Sequence, residues 1–140
     1  MSVKAVDVNN DNKPDIIAAN FDANNVEVLL NKGDGTFNSP KTYSTGLNPI
    51  SVTLDDIDGD NHLDIIVANS GANTVGILIN AGNGSFSSEI TYRTNVQPRS
   101  VATADVNGDN RPDMIVVNYE SNNMNIFLNT GNRTFSIPEN

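Results

Sequence analysis

The chain has no cysteine and only one histidine, His62, in 140 residues. Without cysteine, disulfides and thiolate metal sites are excluded. With one imidazole and no G-x-S-x-G string, the sequence shows no nucleophile–base constellation of the hydrolase kind. Basic residues are few: 8 Lys and Arg stand against 17 Asp and Glu, for a net charge of -9 and a pI near 4.2. Nucleic acid needs a basic footprint and is therefore excluded as a partner. No apolar run approaches the ~20 residues of a membrane-spanning helix. No signal peptide is expected within the chain, because Ser2 and Val3 already belong to its first repeat. Sustained 3.6-residue periodicity is also missing, and Asn and Gly interrupt every segment, which argues against a helical solenoid.

The acidic residues are concentrated in one string that occurs three times. DVNNDNKPD (Asp7 to Asp15), DIDGDNHLD (Asp56 to Asp64) and DVNGDNRPD (Asp105 to Asp113) each begin 49 residues after the last and hold 10 of the 17 acids. The register keeps Val3, Val52 and Val101 in step, as it does Asn20, Asn69 and Asn118, and Phe37, Phe86 and Phe135. A fixed period of this size points to a propeller or solenoid. Within the middle copy, Ile50 to Leu54, His62 to Ala68, Val75 to Ile79 and Phe86 to Tyr92 read as short strands between turns. The second, HLDIIVA, holds a continuous apolar run, IIVA, as in a strand buried on both faces. Four antiparallel strands per repeat make a propeller blade. The expected fold is therefore all-β, with blades at about 1-49, 50-98 and 99-140 in a single repeat domain. The third is expected to lack most of its outer strand.

Each acidic string places side-chain oxygens at positions 1, 3, 5 and 9 of a short loop, and a backbone carbonyl at position 7. That gives Asp7, Asn9, Asp11, the Lys13 carbonyl and Asp15 in the first loop. The second has Asp56, Asp58, Asp60, the His62 carbonyl and Asp64. The third has Asp105, Asn107, Asp109, the Arg111 carbonyl and Asp113. Calcium takes six to eight such oxygens, so about three Ca2+ per chain are expected, with Asp64 and its equivalents bidentate. Magnesium is the weaker candidate because it keeps its waters. Loop 2 alone has a carboxylate at position 3, and ligand charge ranks it as the tightest site. Asn12, Asn61 and Asn110 at position 6 must carry the sharp turn with positive φ. An EF-hand is excluded, since that loop has twelve residues, ends in Glu and lies between helices.

These loops, together with GDGTF, GNGSF and GNRTF (Gly33 to Phe37, Gly82 to Phe86, Gly131 to Phe135), resemble the FG-GAP and VCBS repeats of integrin α-subunit propellers and related proteins. The resemblance covers essentially the whole chain and implies calcium between the first two strands of each blade. It departs from the integrin pattern in lacking Gly at position 6. The family includes adhesion receptors, lectins and a few carbohydrate lyases or dehydratases, so the fold does not choose a function.

The expected function is a non-catalytic extracellular or cell-surface module for adhesion or for binding a protein or glycan, with no catalytic residues. A carbohydrate-active enzyme and a purely structural assembly unit are the alternatives. Ligand contact is expected from the turns between second and third strands, where Phe21, Asp22, Tyr119 and Glu120 place aromatics beside carboxylates. Packing between blades is the competing explanation for the two aromatics. Propellers have four to eight blades, so three blades leave two apolar ends exposed. A homodimer closing a six-bladed ring is expected, against a fragment of a longer array. Asn83 and Asn132 begin glycosylation sequons that matter only in a eukaryotic, secreted context.

Overall fold

A computed structural model describes residues 2–136. No helix occurs among them, and none is present that could cross a membrane. Strands β1 (Ser2–Val6), β2 (Asp15–Asn20), β3 (Asn25–Leu29) and β4 (Lys41–Ser44) form one antiparallel sheet in sequential order. A second has the same order: β5 (Pro49–Asp55), β6 (Asp64–Asn69), β7 (Thr74–Leu78) and β8 (Ile90–Arg93). The third consists of β9 (Pro98–Ala104), β10 (Asp113–Asn118) and β11 (Asn123–Phe127), followed by a small hairpin of β12 (Asn129–Gly131) and β13 (Thr134–Phe135). These are three blades of a β-propeller. The stretch expected to begin the third blade's outer strand lies largely outside the described residues.

The blades stack through their inner strands, with β5 against β1 and β2, and β9 against β5 and β6. Alternation within each strand then sends apolar side chains to both neighbours. Val52, Ile65, Val67 and Leu78 pack toward the first blade with Ile17, Val26 and Val28. Ile66, Ala68, Val75 and Ile77 pack toward the third with Met114, Val116 and Phe127. The middle blade is covered on both sides, so β6 is buried along its whole length. Each of its fully buried aliphatic side chains contributes about 1.5–3 kcal/mol.

The outer strand begins later than its sequence suggests. Phe86 does not enter β8; it forms an isolated bridge with Asn80, as Phe37 does with Asn31. The intervening hairpin is thereby turned toward the preceding blade. There Phe86 packs edge-on against Tyr43 (ring centroids 5.5 Å apart, 82° between planes) and donates its N–H to the Tyr43 hydroxyl at 3.1 Å. Tyr92 repeats the edge-on contact with Phe135. An aromatic on each outer strand thus links to the hairpin of the next blade.

Candidate metal loops and ligand-facing turns

The three acidic loops occupy equivalent places, between β1 and β2, β5 and β6, and β9 and β10. Position 6 takes the left-handed conformation in each, with φ of 63° at Asn12, 66° at Asn61 and 63° at Asn110. Asn is among the few side-chain-bearing residues that adopt this region readily. The turn points successive backbone N–H groups inward, and the position-1 carboxylate collects them. Asp56 accepts from Gly59 (2.7 Å), Asp60 (3.0 Å) and Asn61 (2.8 Å), and Asp105 accepts from Gly108, Asp109 and Asn110 in the same way. Asp7 accepts from Asn9, Asp11 and Asn12. Burial opposes ionisation of Asp7, but these donors outweigh it and hold its carboxyl below the ordinary range.

Position 9 is the buried anchor. Asp15, Asp64 and Asp113 are fully inaccessible, and both oxygens of each accept a backbone N–H. Asp64 Oδ2 accepts from Ile57 (3.0 Å) and Oδ1 from Asn80 (2.8 Å). Asp15 is held by Val8 and Asn31, and Asp113 by Val106 and Asn129. One oxygen thus closes the loop and the other ties it to the strand after the turn. Burial, with Asp58 and Asp60 adding repulsion, pushes the Asp64 carboxyl up to about 6 against the pull of its two N–H donors.

Carboxylate oxygens of Asp56, Asp58 and Asp64 lie within 4.8 Å of one another. Two oxygens sharing one calcium are at most about 5 Å apart, twice the 2.3–2.6 Å bond. The donor set in loop 2 therefore fits a calcium-sized ion. Asp60 stands outside this triad, with its Oδ1 accepting from His62 N–H (2.9 Å). Loops 1 and 3 place Asn9 and Asn107 where Asp58 stands, and their position-5 carboxylates pair with their own position-7 side chains, Lys13–Asp11 at 3.6 Å and Arg111–Asp109 at 3.3 Å. The His62 imidazole has a different partner, the Asn10 side-chain amide of the first loop at 2.9 Å.

Two residues that the sequence did not single out complete the arrangement. Asn80 is buried, and its Nδ2 donates to Val8 carbonyl in the preceding blade's loop (2.8 Å) and to Leu63 carbonyl (3.0 Å). Asn129 does the same to Ile57 and Pro112. In the second and third blades this asparagine therefore pins the acidic loop of the blade before it. The register contained the signal: Asn31, Asn80 and Asn129 coincide, each two residues before an invariant Gly of the hairpin strings.

The turns joining second and third strands lie at the opposite edge of the sheets. Tyr119 is exposed there, with Arg99 over its ring at 4.9 Å, and Glu120 accepts from Gln97 at 2.6 Å. Asp22 is exposed, while Phe21 is half-buried and offers its carbonyl to Asn48. A separate open groove of about 700 Å3 lies between the rims of the second and third blades, bordered by Asp60, His62, Phe86, Ile90 and Arg133.

Antiparallel sheets of four, four and three described strands, stacked through their inner strands, each with an acidic loop between its first two strands, define a β-propeller repeat protein. The FG-GAP-like repeat model matches residues 7–67 and again 56–116, and the chain belongs to that family. No curated protein sequence matches it. Among solved structures, it is similar to an Agrocybe aegerita lectin described as recognising non-reducing terminal N-acetylglucosamine, with 21% identity and a TM-score of 0.67. That match covers 98% of this chain and 37% of the lectin. It is also similar to part of the Photorhabdus luminescens Tc holotoxin pore, at 23% identity and a TM-score of 0.56, over 97% of this chain and 7% of the other. The chain thus spans well under half the length of both.

Proposed function

We propose that this chain is a non-catalytic, calcium-binding set of propeller blades that works outside the cell and presents its turn edge to a glycan or protein ligand. The observation that carries the calcium reading is the convergence of Asp56, Asp58 and Asp64 oxygens within 4.8 Å, on a loop built from inward N–H groups. Arg133 beside Asp58 offsets one of these three charges, and the Asp56 and Asp64 carboxylates left over still repel each other without a bound cation. The same construction in loops 1 and 3, with an amide at position 3, supports three ions per chain. Calcium titration calorimetry tests this directly, and absence of binding at millimolar calcium defeats it.

The ligand reading rests on the family and on the lectin likeness, and on the exposed Tyr119 with Arg99 and Glu120 at the edge away from the metal loops. A glycan array probed with the chain and with Tyr119→Ala tests it. Retained signal in the variant would remove Tyr119 from the site. Turnover of polysaccharide would instead favour the enzyme alternative.

The ends of the arc support association. Val117, Met124 and Ile126 are 46%, 54% and 37% exposed, whereas Ala68, Val75 and Ile77 at the same places in the middle blade are 1% exposed or less. Asn31 on the first blade, equivalent to the pinning Asn80, has no preceding loop to reach within this chain. A second copy supplies both needs at once in a six-bladed homodimer. Light scattering reads this as about 30 kDa, twice 15.0 kDa; a persistent 15 kDa particle speaks for blades supplied by a longer chain.

A further inference from the structure

Arg133 sits in the β12–β13 turn with φ of 61°, where the sister blades have Gly35 and Gly84. A left-handed backbone is costly for an arginine, so its side chain invites explanation. Gly84 shows what this position faces: a Cβ there would come within 2.8 Å of the Leu30 side chain and 3.4 Å of Asn9 Cβ, at position 3 of the preceding loop. Arg133 faces position 3 of its own preceding loop, which is Asp58. Its Nε and Nη2 lie 2.7 Å and 2.6 Å from the same oxygen, Asp58 Oδ2. The Asp58 side chain is only 7% exposed. Glycine therefore faces the amide of loop 1, and arginine faces the extra carboxylate of loop 2.

Resting on the calcium reading above, we propose that Arg133 is an intramolecular counter-cation that competes with calcium for Asp58 and removes the affinity advantage that a fourth carboxylate would give loop 2. Counting ligands alone ranks loop 2 first. Counting Arg133 as well, its four carboxylates carry a net charge of -3, no more than the three carboxylates of loop 1 or loop 3. The Lys13 and Arg111 pairs in those loops are solvent-facing and count for little. Arg133 is itself half-exposed, but both of its nitrogens meet an oxygen of the nearly buried Asp58 side chain, where a charge-assisted contact is stronger. A cation that uses Asp58 fully must displace the guanidinium, so filling loop 2 also releases a contact between the second and third blades.

The test is calcium calorimetry on the full chain and on Arg133→Gln, which removes the charge while keeping a side chain on the strained backbone. Affinity at one of three sites should rise on the order of tenfold, with the other two unchanged. Arg133→Gly, which installs the sister blades' residue, should give the same rise. In an Asp58→Asn background the Arg133 substitution should have no effect. An unchanged isotherm, or weaker binding at one site, overturns the proposal while sites 1 and 3 still bind. Absence of calcium binding in every variant overturns the calcium reading and this proposal together.

Discussion

Glu89 of the second blade and Asn125 of the third do the same work from different places in the repeat. Glu89 accepts from Asn69 Nδ2 (2.8 Å) and from Gly46 N–H on the incoming linker (2.8 Å). Asn125 accepts from Asn118 Nδ2 (2.9 Å) and from Asn95 N–H (3.0 Å). Asn69 and Asn118 are repeat equivalents, as are Gly46 and Asn95, but Asn125 is equivalent to Gly76 and not to Glu89. The Glu89 carboxylate fills the space that a side chain at 76 would occupy.

This exchange predicts a rescue. Glu89→Ala strands the Gly46 N–H and leaves Asn69 Nδ2 with Thr74 Oγ1 alone, and should cost about 1–3 kcal/mol. Gly76→Asn alone should also destabilise, because its side chain collides with the Glu89 carboxylate. The double variant rebuilds the third blade's arrangement in the second, and urea unfolding should show it well above the sum of the singles. Strict additivity would mean that the two acceptors are not interchangeable.

Burial is the main influence on Glu89 and raises its carboxyl above 4.5, against the donors Asn69 and Gly46. The folded state therefore holds this proton more tightly than the unfolded state. Stability from protonated Glu89 is present at low pH and is lost as pH rises through its elevated folded pKa. Measured in chelator, the wild type should lose stability over that window relative to the Gly76→Asn/Glu89→Ala double variant. Parallel pH profiles would contradict the assignment.

Position 9 should behave unlike position 5. Both Asp64 oxygens accept backbone N–H, so Asp64→Asn turns an amide NH2 toward one of those donors and should cost about 1–3 kcal/mol even in chelator. Asp60→Asn keeps an oxygen for His62 N–H and should be nearly neutral in chelator, showing its cost only when calcium is added. Thermal melts with and without calcium separate the two. Equal behaviour would mean that Asp64 is only a ligand.

The repeat register and strand content were legible because they depend on neighbours within about ten residues. The continuous apolar run in HLDIIVA gave burial on both faces of β6, yet the same pattern in β10 leaves Val117 exposed. That difference depends on which blade stands alongside, and no local pattern encodes it. The loop carboxylates announced themselves by spacing. Asn80 did not, since its partner carbonyl is 72 residues away and a turn asparagine beside a glycine has an adequate local explanation. Arg133 was hidden similarly: in the sequence it is one variant letter in a hairpin, and only the stacking of blades puts it against Asp58.

The pinning asparagines separate a closed ring from an open arc. Asn80→Ala strands the carbonyls of Val8 and Leu63 and the N–H of Gly82, and should cost about 3 kcal/mol or more. Among the described residues the Asn31 side chain bonds Pro14 carbonyl and Gly33 N–H, both near solvent, so Asn31→Ala should cost less than half as much in an isolated chain. If a second copy closes the ring, Asn31 acquires a loop to pin, namely that carrying Val106. The cost of Asn31→Ala should then climb toward that of Asn80→Ala as protein concentration rises, and the variant should shift the dimer equilibrium toward 15 kDa chains. Concentration-series melts alongside light scattering measure both effects. An Asn31→Ala penalty that stays small, in a particle that stays dimeric, would mean that the two copies meet through some other face.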